Sequence, residues 1–121
     1  MIGNKNKMAR LDEYRAVVQQ VLDKYGQTRP RIGDAEVEAI VGAAHDHYQL
    51  VNVGWNGQRR VYGCFLHIDI KNGKIWIQHD GTEIGIANEL VALGIPKQDI
   101  VLGFHAPYKR QYSGFAVNYR G

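Results

Sequence analysis

Apolar and polar residues alternate along much of the chain between positions 36 and 80, with the two-residue period of β-strands. The pairs Asn56-Gly57 and Asn72-Gly73 interrupt this pattern on either side of a fourteen-residue run. Each pair favours a two-residue type I′ hairpin turn, because Asn and Gly tolerate the positive φ that both central residues require. The sequence therefore predicts an antiparallel meander with strands near residues 47–55, 58–71 and 74–78, preceded by a half-buried strand over residues 36–41.

Helical spacing of apolar positions flanks this meander on both sides. From Leu11 to Tyr25 apolar residues recur at intervals of three and four, and Gly26 follows as a stop signal. A second helical pattern occupies residues 82–93, with Thr82 as N-cap and Gly94 as stop. We expect both helices to pack on one face of the meander, and a brief buried strand over residues 100–104. The predicted fold class is α+β.

The two turns also predict which residues face each other across the strands. A loop at Asn56-Gly57 sets Trp55 against Gln58 and His47 against Leu66, and the second loop sets Leu66 against His79. The face predicted to lie under the helices then contains Val51, Val53, Tyr62, Cys64, Leu66, Ile68, Ile70, Ile75 and Ile77. The opposite face is amphipathic and partly aromatic, which favours contact with a partner; it contains Tyr48, Leu50, Asn52, Arg59, Val61, Phe65, His67, Asp69, Trp76 and Gln78.

Length and composition indicate one globular domain. The chain has 121 residues, 45% hydrophobic and 22% charged, which suits a single domain of ordinary composition. Residues 1–7 carry no periodicity and are expected to form a disordered leader before a domain spanning residues 8–121. No apolar run reaches the roughly 20 residues of a membrane span, and the lone Cys64 excludes an intrachain disulfide. We therefore expect a cytoplasmic protein without membrane contact.

Chemical motifs are weak. The predicted register places His47 and His79 two strand spacings apart, roughly 9.5 Å, too far to share one zinc ion. We therefore expect no metal and no cofactor. His67 is expected between Asp46 and Gln78, as an acid–base group or a hydrogen-bonded structural cluster. Cys64 is expected to be a buried, inert thiol.

The net charge does not decide whether the protein contacts DNA. The formal net charge is +3 and the estimated pI about 9.1, which is compatible with nucleic-acid binding without requiring it. Basic residues beside aromatic ones are suited to contact phosphates and bases, but for those at the C-terminal end a solvated, partly mobile tail is the favoured interpretation. The candidate DNA contacts are Arg59, Arg60, Lys109 and Arg110.

Three segments carry a resemblance to a known family. These are YQLVNVGW (48–55), HIDI (67–70) followed by WIQHDGT (76–82), and residues 94–105 with Pro107. They resemble the XisI family of cyanobacterial fdxN-element excision controlling factors. The resemblance covers the chain from about Leu11 to Val117. It implies an α+β fold and a role in controlling excision of a DNA element during heterocyst differentiation, beside an XisH-type protein. It supplies no catalytic residues, since a separate site-specific recombinase is expected to cut the DNA.

The favoured hypothesis is a non-catalytic regulatory protein that binds an XisH-type partner, with a possible homo-oligomer. Its candidate partner surface is Tyr48, Phe65, His67 and Trp76. The alternative is a DNA-binding accessory factor that uses the four basic residues named above. A third, more distant hypothesis is a small hydrolase centred on His67 and Asp46.

Overall fold

The structure is a computed structural model that describes residues 2–42, 44 and 46–117, with no side chains described for residues 2–8. Its elements are helix α1 (Ile2–Thr28), strands β1 (Glu36–Gly42), β2 (His47–Asn56), β3 (Arg59–Lys71) and β4 (Lys74–Asp80), helix α2 (Ile86–Ala92) and strand β5 (Ile100–Leu102). The strands form one sheet in the order β1-β2-β3-β4-β5, in which β4 and β5 are parallel and the other neighbours antiparallel. This is the α+β domain with a helix-covered meander that the sequence predicts.

Both predicted hairpins are present, with different turns. In the β3–β4 hairpin Asn72 and Gly73 both have positive φ (54° and 74°), as a type I′ turn requires. In the β2–β3 hairpin Asn56 pairs with Arg59, so the loop consists of residues 57 and 58. Only Gly57 has positive φ there (62°), and the predicted type I′ turn at Asn56-Gly57 is wrong by one residue.

A β-bulge in β3 changes the predicted register. Near the turn Val51 pairs with Cys64, whereas one step further Leu50 pairs with Leu66. Phe65 is therefore an extra residue in β3, and beyond it the alternation of the two strands is offset by one. The predicted pairing of His47 with Leu66 is wrong, because His47 lies opposite Asp69.

A second bulge interrupts the β3–β4 pairing. The predicted pairs of Ile70 with Ile75 and Ile68 with Ile77 are confirmed, but the next pair is His67 with His79. The predicted pairing of Leu66 with His79 is therefore wrong, because the extra residue Gln78 shifts Leu66 to Asp80.

Helices α1 and α2 cover one face of the sheet, here called the inner face; the opposite face is the outer face. The buried cluster between helices and sheet contains Tyr14, Val18, Val21, Leu22, Tyr25, Tyr48, Leu50, Phe65, Leu66, Ile68, Ile70, Ile75, Ile77, Ile86, Leu90, Ile95, Ile100 and Leu102. Five of the nine predicted inner-face residues belong to it. The assignment is wrong for Tyr62 and Cys64, which are exposed, and Tyr48 and Leu50 take their place because the bulge reverses the alternation.

Helix α1 passes the predicted stop at Gly26 and ends at Thr28. The expected disordered leader stays a prediction, since Met1 lies outside the described residues and the side chains of residues 2–8 are not described. Helix α2 starts at Ile86, later than predicted, and Thr82 is not its N-cap. Instead Asp80 accepts hydrogen bonds from the backbone N–H groups of Thr82 (2.9 Å) and Ile86 (2.8 Å), which satisfies the first donor of the helix.

The segment after β5 covers part of the outer face. Trp76, Val101 and Ala116 form a second buried cluster, and the backbone N–H of Ala116 donates to the carbonyl of Ile100 at 2.9 Å. Arg110, in the 3₁₀ helix Pro107–Tyr112, is 1% exposed. The outer face is therefore closed along β4 and β5. No helix among the described residues is long and apolar enough to span a membrane.

Candidate functional site on the outer sheet face

A polar cluster occupies the outer face where β2, β3 and β4 meet. His47 on β2 lies opposite Asp69 on β3, and Gln49 lies opposite His67. His47 Nδ1 is 2.7 Å and His67 Nε2 is 2.9 Å from the same oxygen, Asp69 Oδ1. One nitrogen of each histidine and one oxygen of Asp69, each a potential metal ligand, all lie within 4.8 Å of one another. We call this group the His47–His67–Asp69 cluster.

Asp69 is ionised at the centre of the cluster. Burial raises the pKa of Asp69, but hydrogen bonds from His47 and His67 outweigh this effect and hold the pKa below its ordinary value. Because an ionised carboxylate only accepts hydrogen bonds, His47 Nδ1 and His67 Nε2 each donate an N–H to Oδ1. One carboxylate oxygen thus orients both imidazole rings.

Two glutamines hold the cluster from its sides. Gln78 Nε2 donates to Asp69 Oδ2 at 3.2 Å, and Gln49 Nε2 lies 3.4 Å from His67 Nδ1. Since His67 carries its hydrogen on Nε2, Nδ1 accepts from the Gln49 amide. His67 is half-buried and His47 is exposed, so the cluster opens to solvent on the β2 side.

The predicted pairing of His67 with Asp46 is wrong. Asp46 instead binds Arg15 of α1, whose Nε and Nη2 lie 2.8 and 3.1 Å from its two carboxylate oxygens. The Arg15 guanidinium is the main reason that the pKa of Asp46 lies below its ordinary value. Asp46 therefore ties the start of β2 to α1, and the acidic neighbour of His67 is Asp69.

His47 and His79, the histidines that the sequence excludes as ligands of one zinc ion, do not flank Leu66, because the predicted register is wrong. His47 instead joins His67, two residues from Asp69 on β3. No clear sequence signal marks the bulge at Phe65, which brings His47 beside Asp69. Gly81 is a weak sequence indication of this bulge, because its backbone N–H donates to the Phe65 carbonyl at 2.7 Å.

Three of the four residues of the predicted partner surface are buried. Tyr48 and Phe65 are buried on the inner face, and Trp76 is 1% exposed beneath the C-terminal segment. Of the four predicted residues, only His67 is partly accessible. The bulge at Phe65 places Tyr48 and Phe65 on the inner face, and the C-terminal segment covers Trp76. Strand alternation predicts neither of these features.

The accessible apolar part of the outer face lies near the β2–β3 turn. Val53 pairs with Tyr62 and Trp55 with Arg60, so all four share this face. The Arg60 guanidinium lies 5.4 Å from the Trp55 ring centre and 5.8 Å from that of Tyr62. Trp55 is 51% and Tyr62 70% exposed. We call Val53, Trp55, Arg60 and Tyr62 the hairpin patch.

The four predicted DNA contacts separate into two groups. Arg59 and Arg60 are exposed beside the β2–β3 turn, and Lys109 is exposed on the 3₁₀ helix. Arg110 is buried and donates to the carbonyls of Leu102 and His105 at 3.2 and 3.1 Å. The prediction is wrong for Arg110, because a guanidinium held by backbone carbonyls inside the fold does not reach a phosphate. Cys64, predicted to be buried, is exposed.

Two comparisons with known proteins find matches, and these matches agree with each other. The family model XisI protein matches residues 8–117. The crystal structure of a XisI-like protein from Anabaena variabilis shares 45% sequence identity, with a TM-score of 0.84 over 89% of this chain and 99% of that one. The crystal structure of the fdxN element excision controlling factor XisI from the same organism shares 37% identity, with a TM-score of 0.77 over 90% and 99%. A search of curated proteins finds no match.

Proposed function

Because this chain belongs to the XisI family, we propose that it is an accessory factor that controls excision of a DNA element and acts by binding another protein. The family match over residues 8–117 is the observation that carries this proposal. We further propose that the chain is not itself a catalyst and that its partner is the XisH-type protein that the resemblance implies.

The hairpin patch is the surface that we propose for this contact. It combines two exposed aromatic rings with an arginine that lies against both. Trp, Tyr and Arg are the residue types that contribute most binding energy in protein interfaces. They project from paired strands, so little conformational entropy is lost when a partner orders them. Ile40 on the edge strand β1, 48% exposed, extends the same face.

The edge strand β1 offers a further support for protein binding. It has a hydrogen-bonded neighbour only on the β2 side within the described sheet. An open strand edge can add a strand from another chain through main-chain hydrogen bonds. The hairpin patch and this edge adjoin, since Glu36 of β1 pairs with Val53 of the patch. A partner can therefore contact both at once.

Co-expression with the XisH-type protein, followed by size-exclusion chromatography, tests the proposal. We expect the wild-type chains to co-elute, and Trp55→Ala and Tyr62→Ala each to weaken the complex at least about 30-fold, as for a hot spot of about 2 kcal/mol. Tyr112→Ala is the matched control, because Tyr112 is 81% exposed outside the patch. Absence of a wild-type complex, or equal co-elution of all three variants, would overturn the proposed contact.

A titration with duplex DNA at several salt concentrations distinguishes the alternative. Binding through phosphates weakens steeply as salt increases. If the protein is a direct DNA-binding factor, the double variant Arg59→Ala/Arg60→Ala loses this salt-sensitive binding. For the protein-contact proposal we expect wild type and double variant to show equally weak DNA binding.

A further inference from the structure

The His47–His67–Asp69 cluster has the composition and spacing of a metal site. From its geometry we infer that these three residues bind a divalent transition metal ion, for which Zn²⁺ fits best. Two imidazoles and one carboxylate form a mixed nitrogen and oxygen donor set. Zinc binds such sets, whereas Mg²⁺ and Ca²⁺ prefer oxygen ligands throughout.

The distances within the cluster suit one ion. Donor atoms bound tetrahedrally to zinc at about 2.0–2.1 Å lie roughly 3.3 Å apart. In the cluster Asp69 Oδ1 is 2.7 Å from His47 Nδ1 and 2.9 Å from His67 Nε2, and every donor pair is within 4.8 Å. Small side-chain movements, without a change of strand register, therefore place all three donors around a zinc ion. Each imidazole then carries its hydrogen on the ring nitrogen that does not bind the ion.

The backbone fixes the donors before any ion binds. His47 and Asp69 are directly opposite residues of β2 and β3, and His67 lies two positions from Asp69 on the same face. Their separation is therefore set by the sheet and not by flexible loops. The exposure of His47 makes the cluster accessible to an ion from solvent.

The two glutamines fit as outer partners of the metal ligands. Gln78 donates to Asp69 Oδ2, which leaves Oδ1 directed at the histidines. When Nε2 of His67 binds zinc, its Nδ1 must carry the hydrogen and donate it. Rotation of the Gln49 carboxamide by half a turn presents its oxygen to that N–H at the same position, so Gln49 supports both states of His67.

Titration of untagged, metal-free protein with Zn²⁺ in a calorimeter tests the inference, with Co²⁺ absorption as a second readout. We expect one Zn²⁺ per chain and a tetrahedral Co²⁺ spectrum. His47→Gln and His67→Gln should each lower the Zn²⁺ affinity at least about tenfold and remove the Co²⁺ spectrum, and Gln49→Ala should lower the affinity about tenfold. His79→Gln is the matched control, because His79 is exposed and pairs with His67 but lies outside the cluster.

The variants also separate metal binding from folding. His47 is exposed and Gln keeps an N–H donor for Asp69, so His47→Gln should melt close to metal-free wild type, while Zn²⁺ should raise the melting temperature of wild type and not that of His47→Gln. If wild type binds no stoichiometric Zn²⁺, or if His47→Gln and His67→Gln bind it as well as wild type, the inference is wrong and the cluster is a structural hydrogen-bond network.

Discussion

The guanidinium carbon of Arg110 lies 5.3 Å from the centre of the Trp76 ring, and each of these side chains is 1% exposed. Arg110 also donates to the backbone carbonyls of Leu102, Gly103 and His105 at 3.1 to 3.3 Å. A basic residue of the C-terminal segment thus closes the outer face over β4.

Replacement of Arg110 by Met should therefore destabilise the fold. It removes the hydrogen bonds that a buried guanidinium donates to three backbone carbonyls, and we expect the free energy of unfolding in urea to fall by about 2 kcal/mol or more. Lys109→Met is the control, because Lys109 is exposed and should change stability by less than about 0.5 kcal/mol. Equal stability of the two variants would contradict the buried role of Arg110.

The two tryptophans should respond in opposite ways. Trp76→Ala removes a buried ring and should cost about 3–5 kcal/mol in urea unfolding. Trp55→Ala should cost less than about 1 kcal/mol, because this ring is half exposed, yet it should weaken the complex with the XisH-type partner. A large stability loss in Trp55→Ala would mean that its ring serves the fold and would remove it from the proposed contact.

The hairpin glycines should be sensitive to any side chain. Gly57 and Gly73 have positive φ, and no atom lies within 4 Å of a Cβ built at either position. Gly57→Ala and Gly73→Ala should each cost about 1–2 kcal/mol through backbone strain alone. Gly63 is the matched control, with equally open space and no positive φ. Thermal melts in which Gly63→Ala loses as much stability as the other two would refute this explanation.

The inner and outer sides of β3 can be compared within one strand. Leu66 is fully buried and Tyr62 is 70% exposed. We expect Leu66→Ala to lower the free energy of unfolding by about 2–5 kcal/mol through lost burial and a cavity. Tyr62→Ala should change it by less than about 1 kcal/mol. The reverse order in chemical denaturation would mean that the faces are exchanged.

The bulge at Phe65 should depend on Gly81. A Cβ at position 81 would lie 2.9 Å from the Phe65 carbonyl oxygen, which accepts the Gly81 N–H. Gly81→Ala should therefore cost about 1–3 kcal/mol, as expected for overpacking. Melting of this variant at the wild-type temperature would show that the bulge tolerates a side chain here.

The sequence by itself determined the elements and the fold class. The Asn72-Gly73 turn, the spacing that starts at Leu11 and the alternation of β3 and β4 near their turn act within a few residues of chain. Local backbone preference and periodicity are therefore sufficient to predict them. The resemblance to XisI proteins, read from the same residues, is confirmed by the family match.

Only the tertiary structure decided which side chains share a site. A bulge inserts one residue into an alternating pattern without a clear mark in composition, so Phe65 and Gln78 reversed the predicted faces beyond them. That reversal moved Tyr48 inward and brought His47 beside Asp69. The burial of Trp76 by Ala116, forty residues later in the chain, is equally non-local. Strand pairing and long-range packing depend on the whole fold, and no local pattern encodes them.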